Sequence, residues 1–232
     1  MELVSRRCII SMTGTTLAVL IWELPALIAN SRRSFSGASL LDWASFVDKV
    51  TTLARRAVDV RTEEAYVDRV QELLGNVDRR NPRLHRVRGP LRKQPGLPVF
   101  SSLERTTNTE IQLLSFDPGD SILAHDHPGM TAVMMCVSGA VEVQNYDPIL
   151  IAASGCLLKQ RSNMTLESLQ RSTLTSKRGN IHQLESPKGC ELIDIFTPPY
   201  DKRRVETTRW FRISREPLRK GQLVYSAQVK IL

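Results

Sequence analysis

Residues 125 to 131 read HDHPGMT, and two of the four histidines in the 232-residue chain stand there one residue apart. In an extended strand alternate residues face the same side, so His125 and His127 project together and Asp126 points away. Two imidazoles on one face are the means by which a β-barrel wall can grip a metal. Gly119 lies six residues before His125 and Gly139 twelve after His127, a spacing of G-x5-HxH-x11-G.

Outward from this stretch the chain breaks into short runs of β-type composition divided by turn signals. They are EIQLLSF followed by Asp117-Pro118-Gly119-Asp120, TAVMMCVSG, AVEVQNY followed by Asp147-Pro148, ILIAASG, the polar STLTS from Ser172 to Ser176, and CELIDIFT followed by Pro198-Pro199. Six or more strands at this spacing, with little helix between them, predict a mainly β antiparallel barrel or double-sheet jelly roll over residues 99–232. Upstream, Leu41, Phe46, Val50, Leu53 and Ala57, then Ala65, Val67, Val70, Leu73 and Leu74, recur at helical spacing and predict two amphipathic helices within residues 38–77. Asp42 or Ser39 is placed to cap the first. Thr62 with Glu63-Glu64 opens the second, and Gly75-Asn76 ends it. Between helices and strands, residues 78–98 carry four prolines, two glycines and many basic residues, the composition of a loop or linker.

The formal net charge of +8 comes from two segments. Arg79 to Lys93 holds seven Arg/Lys and no acid, Lys202 to Lys220 holds eight against Glu206 and Glu216, and the rest of the chain is net negative. Solvated loops account for such runs, which can also steer acidic partners. No nucleic-acid motif accompanies them, so no nucleic-acid partner is expected. Cys8, Cys136, Cys156 and Cys190 form no CxxC pair, which points to unpaired thiols in a reducing compartment. Cys136 reads as core, Met130 and Met134 as core or pocket wall, Cys190 as core or a site-lining residue, and His85 as a solvated loop residue. In residues 8–30 the uninterrupted apolar run, Leu17 to Trp22, is far short of the ~18 to 20 residues that span a bilayer, so no transmembrane span is expected. NSRRSFSGAS is Ser-rich with Arg32 and Arg33, as at the end of a mitochondrial presequence. Residues 1–37 therefore read as a targeting segment or a disordered extension. The expected location is cytoplasmic, or mitochondrial if that segment is a presequence.

The glycine and histidine spacing resembles the first cupin motif, with Thr131 and Ala132 where that motif usually carries a glutamate ligand. GNIH, Gly179 to His182, resembles the part of the second cupin motif that brings another histidine. More specifically, AHDHPGMTAVMMCVSGAVEVQNYD and NIHQLESPKGCELIDIFTPPYD are similar to the two blocks of the plant cysteine oxidase and cysteamine (2-aminoethanethiol) dioxygenase family, over roughly Val99 to Pro217. The resemblance implies a cupin double-stranded β-helix with N-terminal helices. It also implies Fe(2+) held by His125, His127 and His182, and Asp194 and Tyr200 beside the metal. The implied activity uses O2 to oxidise a small thiol or an N-terminal-cysteine peptide to a sulfinic acid. Three imidazoles bring no negative charge, so an anionic thiolate can neutralise the metal, and open positions suit a substrate with dioxygen.

Asp194 is expected to bond an imidazole or the substrate amine, and Tyr200 to orient dioxygen or substrate. A monomer is expected. Two departures stand out. TTRWF places Thr208, Trp210 and Phe211 where family members often carry Cys-x-Tyr-Tyr, so the Cys-Tyr crosslink of some relatives cannot form there, and the stretch 158–178 has no clear counterpart. The alternatives are a degenerate or regulatory metal-binding cupin without dioxygenase activity, and a zinc site with an activated water.

Overall fold

The computed structural model describes residues 40–56, 62–84, 94–152, 155–219 and 221–230. Residues 1–37, with Cys8, and His85 with most of the basic loop, lie outside the described residues, and so do the expectations that fall on them.

Two helices come first, α1 (Trp43–Ala54) and α2 (Glu63–Gly75). Asp42 caps α1, its carboxylate accepting from Ser45 N at 2.9 Å and satisfying an amide with no partner inside the helix. At helical spacing α1 buries Phe46, Val50 and Ala54, and α2 buries Tyr66, Val67, Val70, Leu73 and Leu74. Burying a side chain such as Phe46 completely contributes roughly 2–3 kcal/mol before entropy is counted.

Among the described residues ten strands come after these helices: β1 (Val99–Arg105), β2 (Glu110–Phe116), β3 (Asp120–Asp126), β4 (Thr131–Ala152), β5 (Gly155–Glu167), β6 (Arg171–Leu174), β7 (Ile181–Ser186), β8 (Cys190–Thr197), β9 (Trp210–Ile213) and β10 (Val224–Lys230), with a short α3 (Lys202–Thr207) before β9. The pairings between these strands are antiparallel. The second half of β4 closes a circuit with β5, β10, β9, β3 and β7, while its first half joins β6 and β8, which carries β2 and β1. This is the mainly β barrel with N-terminal amphipathic helices that the turn spacing predicts.

The strand runs without clean polar alternation are explained by packing on both faces. Ile111, Leu113, Val133, Met135, Ile193 and Ile195 share one core with α1 and α2. Their alternates Leu114, Met134, Cys136 and Leu192 fill the barrel interior. With Leu192 inside and Ile193 outside, Asp194 has to point into the barrel. Cys190 packs in that interior core with Phe116 and does not line the site.

Strand continuity differs from the sequence expectation at two places. Asp147-Pro148, with the composition of a turn, lies within β4, where a register irregularity between Pro148 and Leu150 absorbs the proline. Gly139, expected in a turn between two strands, is instead a corner inside β4: residues up to Gly139 pair with β8, and from Ala140 the strand pairs with β5. A corner needs a left-handed residue at a close approach, and Gly139 has φ +75° with the carbonyl of Gly189 against it. The stretch 158–178 forms most of β5 and all of β6. Strands β1, β9 and β10, and helix α3, carry no clear local signal in the sequence.

Candidate metal centre

β3 and β7 run side by side, with His125 directly opposite His182. Simple alternation would place Ile122 and His125 on opposite faces, yet both line the barrel interior. A bulge reconciles them: between the pairs Ile122–Leu184 and His125–His182, β3 spends three residues against two on β7. His127 follows in the turn that leaves β3, where Met130 N donates to His127 O at 3.0 Å and Gly129 takes φ +66°, the conformation required of the third residue of a Pro-Gly turn. Asn180 fastens this turn to the start of β7. Its Oδ1 accepts from His127 N at 3.0 Å, and its Nδ2 donates to Met130 O at 3.2 Å and Thr175 O at 2.7 Å.

The structure thus brings together all three sequence-predicted histidines. Each presents a nitrogen within 4.8 Å of the others, and among the described residues they are the group placed to hold a metal. Their tautomers follow from what the far nitrogens touch. His125 Nδ1 faces Leu123 O at 2.8 Å, so it carries the proton and leaves Nε2 free to bind. His127 Nδ1 meets the Tyr200 hydroxyl at 2.5 Å. The Nε2 atoms of His127 and His182 stand 2.9 Å apart, close to the ~3 Å expected for adjacent ligands at a metal–nitrogen distance of about 2.1 Å. Two ring nitrogens that near repel unless a proton or a cation lies between them. Burial also keeps the rings neutral: the His125 imidazole is pushed down to about 4, and His127 and His182 fall well below the usual histidine range, first through loss of water and then through the nearby His125 ring. Neutral, convergent and dry, the set fits a divalent cation.

The histidines sit in a cavity of about 500 Å³ with a largely apolar wall that includes Leu114, Ile122, Leu184 and Phe196. Phe100 and Val205, 51% and 61% exposed, mark its mouth. Asp194 and Tyr200 line it too. Asp194 is 2% exposed, its Oδ1 has no hydrogen-bond partner, and no imidazole bonds it. Burial pushes its carboxyl up to about 8, the Ile195 amide opposing only in part. Tyr200, which the family resemblance expects to orient substrate or dioxygen, has its hydroxyl against His127. Its main chain is gripped by Glu110 through Tyr200 N at 3.3 Å and by Arg105, which donates to Tyr200 O and to Glu110 at 2.7 Å.

Several residues of the site carry no motif that marks them in the sequence. Gln112, directly opposite Asp194 in register, brings an amide to the cavity. Trp210 stacks on His125 with centroids 4.8 Å apart, and Thr208 joins it in the wall, so two of the three TTRWF departures face the cavity while Phe211 packs in the core. The signal that could have found Trp210 is Asp126, a buried acid flanked by two ligands. It accepts from Arg209 N and Nε, both at 2.6 Å, and so pins the start of β9 against β3. The Asn of GNIH carries a similar hint.

Asp194 gives the metal-free protein a pH signature. The native state holds the Asp194 proton up to about pH 8, the unfolded chain only to 3.8, so its stabilisation is complete below pH 3.8 and lost as pH rises to 8. The buried imidazoles act in the opposite sense, losing stability only as pH falls below 6.5. From pH 6.5 to 8 the Asp194 contribution therefore falls by up to about 2 kcal/mol, at ~1.4 kcal/mol per unit. Urea unfolding of chelator-treated protein across that window should show the decline, and Asp194→Asn should flatten it. An equal decline in the variant would count against a protonated native carboxyl.

The PCO_ADO family model matches residues 91–230. The chain is similar to human 2-aminoethanethiol dioxygenase, 26% identical over an alignment 161 residues long that covers 57% of this chain and 59% of that protein. It is also similar to plant cysteine oxidase 1 of Arabidopsis thaliana, 24% identical over an alignment 108 residues long that covers 44% of this chain and 37% of the relative. It thus spans under two thirds of the length of either. Among solved structures, a cupin superfamily protein from Desulfitobacterium hafniense aligns at a TM-score of 0.36 and 14% identity, over 50% of this chain and 96% of that one.

Proposed function

Because this chain belongs to the PCO_ADO family, we propose that it is a non-haem Fe(II) thiol dioxygenase that places both atoms of O2 on the sulfur of cysteamine or of a peptide's N-terminal cysteine, turning the thiol into a sulfinic acid. The observation that carries the proposal is the trio of buried, neutral imidazoles converging in an otherwise apolar cavity. Ferrous iron, when bound, supplies the redox chemistry that lets a thiolate react with ground-state dioxygen. The protein's part is to hold and surround it. His125, His127 and His182 bring no charge, so a substrate thiolate is the natural anion beside the metal. Tyr200 keeps His127 oriented through Nδ1. Asp194, whose Oδ1 has no partner in the wall, receives the substrate's ammonium, which would draw its carboxyl back toward the ionised form. The apolar wall excludes water and protects reactive oxygen from side reactions. Cysteamine fits wholly inside, and a peptide leaves past Phe100 and Val205.

Anaerobic loading with Fe(II), then mass spectrometry after exposure to air, tests this reading. A product two oxygen atoms heavier is expected with cysteamine or a Cys-peptide, and its absence with both thiols despite bound iron would overturn it. Tyr200→Phe, which removes the hydroxyl from His127 and little volume, is expected to weaken Fe(II) binding by about tenfold or more, read by competition with a chelator. Trp210, stacked on His125 in the wall, favours a second reading, a cupin that holds metal without oxidising thiols. Bound metal with no thiol product would select it.

A further inference from the structure

Of the three imidazoles, two have their far nitrogens occupied, His125 by Leu123 O and His127 by the Tyr200 hydroxyl. His182 Nδ1 is sealed from solvent and has no partner among the described residues. A second sealed atom in the barrel is also unmatched, Asn145 Oδ1. Asn145 is 5% exposed and lies directly opposite His182 across the β4–β7 ladder. Directly opposed residues of an antiparallel pair share a face, with Cβ atoms about 4.5–5.5 Å apart. That face is the interior: two residues along, the next pair on the same side, Val143 and Leu184, packs in the barrel core, whereas Tyr146 and Ile181 pack together in a separate cluster.

The orientation of the Asn145 amide is settled by its other contacts. Its Nδ2 donates to Thr173 O at 3.4 Å and to Ser172 Oγ at 3.2 Å, and a carbonyl can only accept, so the nitrogen lies on that side. The oxygen is left with lone pairs and no donor. His182, once Nε2 is given to a metal, must carry its proton on Nδ1 and needs an acceptor. One buried donor and one buried acceptor on opposed positions meet each other's need, and leaving both unmatched would forfeit the hydrogen bonds that water gives them in the unfolded chain.

We propose that Asn145 is a positioning residue for the metal centre, its side-chain oxygen accepting the Nδ1 proton of His182, directly or through one bridging water, and so completing a set in which every imidazole is held at its far nitrogen. The inference rests on the metal-centre reading and goes beyond it by assigning the third anchor to β4. The choice of an amide matters: a carboxylate there would add a negative charge beside a trio that has none.

The test uses the full chain, with Co(II) for affinity and Zn(II) for NMR. Asn145→Ala is expected to weaken Co(II) binding by roughly 10- to 100-fold while the metal-free protein unfolds at a similar temperature. In the Zn(II) protein the wild-type His182 Nδ1 proton should give a slowly exchanging downfield resonance, absent from Asn145→Ala and retained in Asn145→Asp, which keeps the acceptor. Unchanged Co(II) affinity and an unchanged His182 resonance in Asn145→Ala would overturn the assignment. So would equal loss of affinity in the alanine and aspartate variants, since packing alone would then be responsible. A wild-type protein that binds neither ion would remove the metal-centre reading itself.

Discussion

His182→Ala is expected to leave a folded protein that neither retains metal nor oxidises a thiol. Its Nε2 lies 2.9 Å from that of His127, and its Cα is paired with that of His125, so removing it leaves two donors where three converge. Loss of one partner to a ligand costs roughly 10- to 100-fold in affinity, and loss of the ligand itself should cost on the order of 10³ or more. Metal analysis of the purified variant and mass spectrometry of its products read the two consequences separately. Folding should survive, because a buried imidazole with an unpartnered Nδ1 is a poor contributor to native stability. A variant that keeps stoichiometric metal and full turnover would show that the three-histidine assignment is wrong, and one that loses turnover but keeps metal would make His182 something other than a ligand.

Gly139→Ala should produce the largest loss of stability. A Cβ there would lie 2.2 Å from Gly189 O and 2.9 Å from Cys190 Cα, both backbone atoms that cannot swing aside, and φ is +75°. Left-handed strain of about 1–3 kcal/mol adds to an overpacking cost of similar size, giving roughly 4 kcal/mol, a fall of some ~8–16 °C in Tm for a domain of this size. Gly119→Ala isolates the first of these two costs. Its φ is +86°, but nothing lies within 4 Å of the added atom, so it should bear the conformational strain alone, about 1–2 kcal/mol. Calorimetric melting points of the two variants in metal-free form make the comparison. Equal melting points would mean that β4 can reopen its corner, and that the contact with the β7–β8 turn does not hold the two halves of the strand in place.

The helices, and several of the strands, are legible in the sequence because their signals are local. Helical spacing gives most of the buried faces of α1 and α2, though Ala65 is exposed and Tyr66 is buried, and Asp42 is one of the two caps the sequence offers. CELIDIFT coincides with β8 and EIQLLSF with β2. Where a local signal competes with a long-range ladder, the ladder wins: Asp147-Pro148 looks like a turn, but twelve aligned pairs with β5 carry β4 through it. β9 and β10 are not legible, because their polar and mixed composition takes strand form from its partners in the closed circuit and not from its own pattern.

The site divides in the same way. Spacing brings out His125 and His127, because ligand chemistry restricts which side chains can serve, and His182, Asp194 and Tyr200 come from the resemblance to known motifs. Which of their atoms meet is a different matter. The sequence by itself determined a β-barrel, because strand patterns and turn residues act over a few positions, and through its family resemblance it pointed to three histidines as metal ligands. Only the tertiary structure decided that a bulge turns His125 inward beside Ile122, that Tyr200 reaches His127, that Trp210 covers His125, and that Asn145 stands opposite His182. Those outcomes depend on register between strands far apart in the chain, and a shift of one residue there reverses every side chain without altering any local pattern.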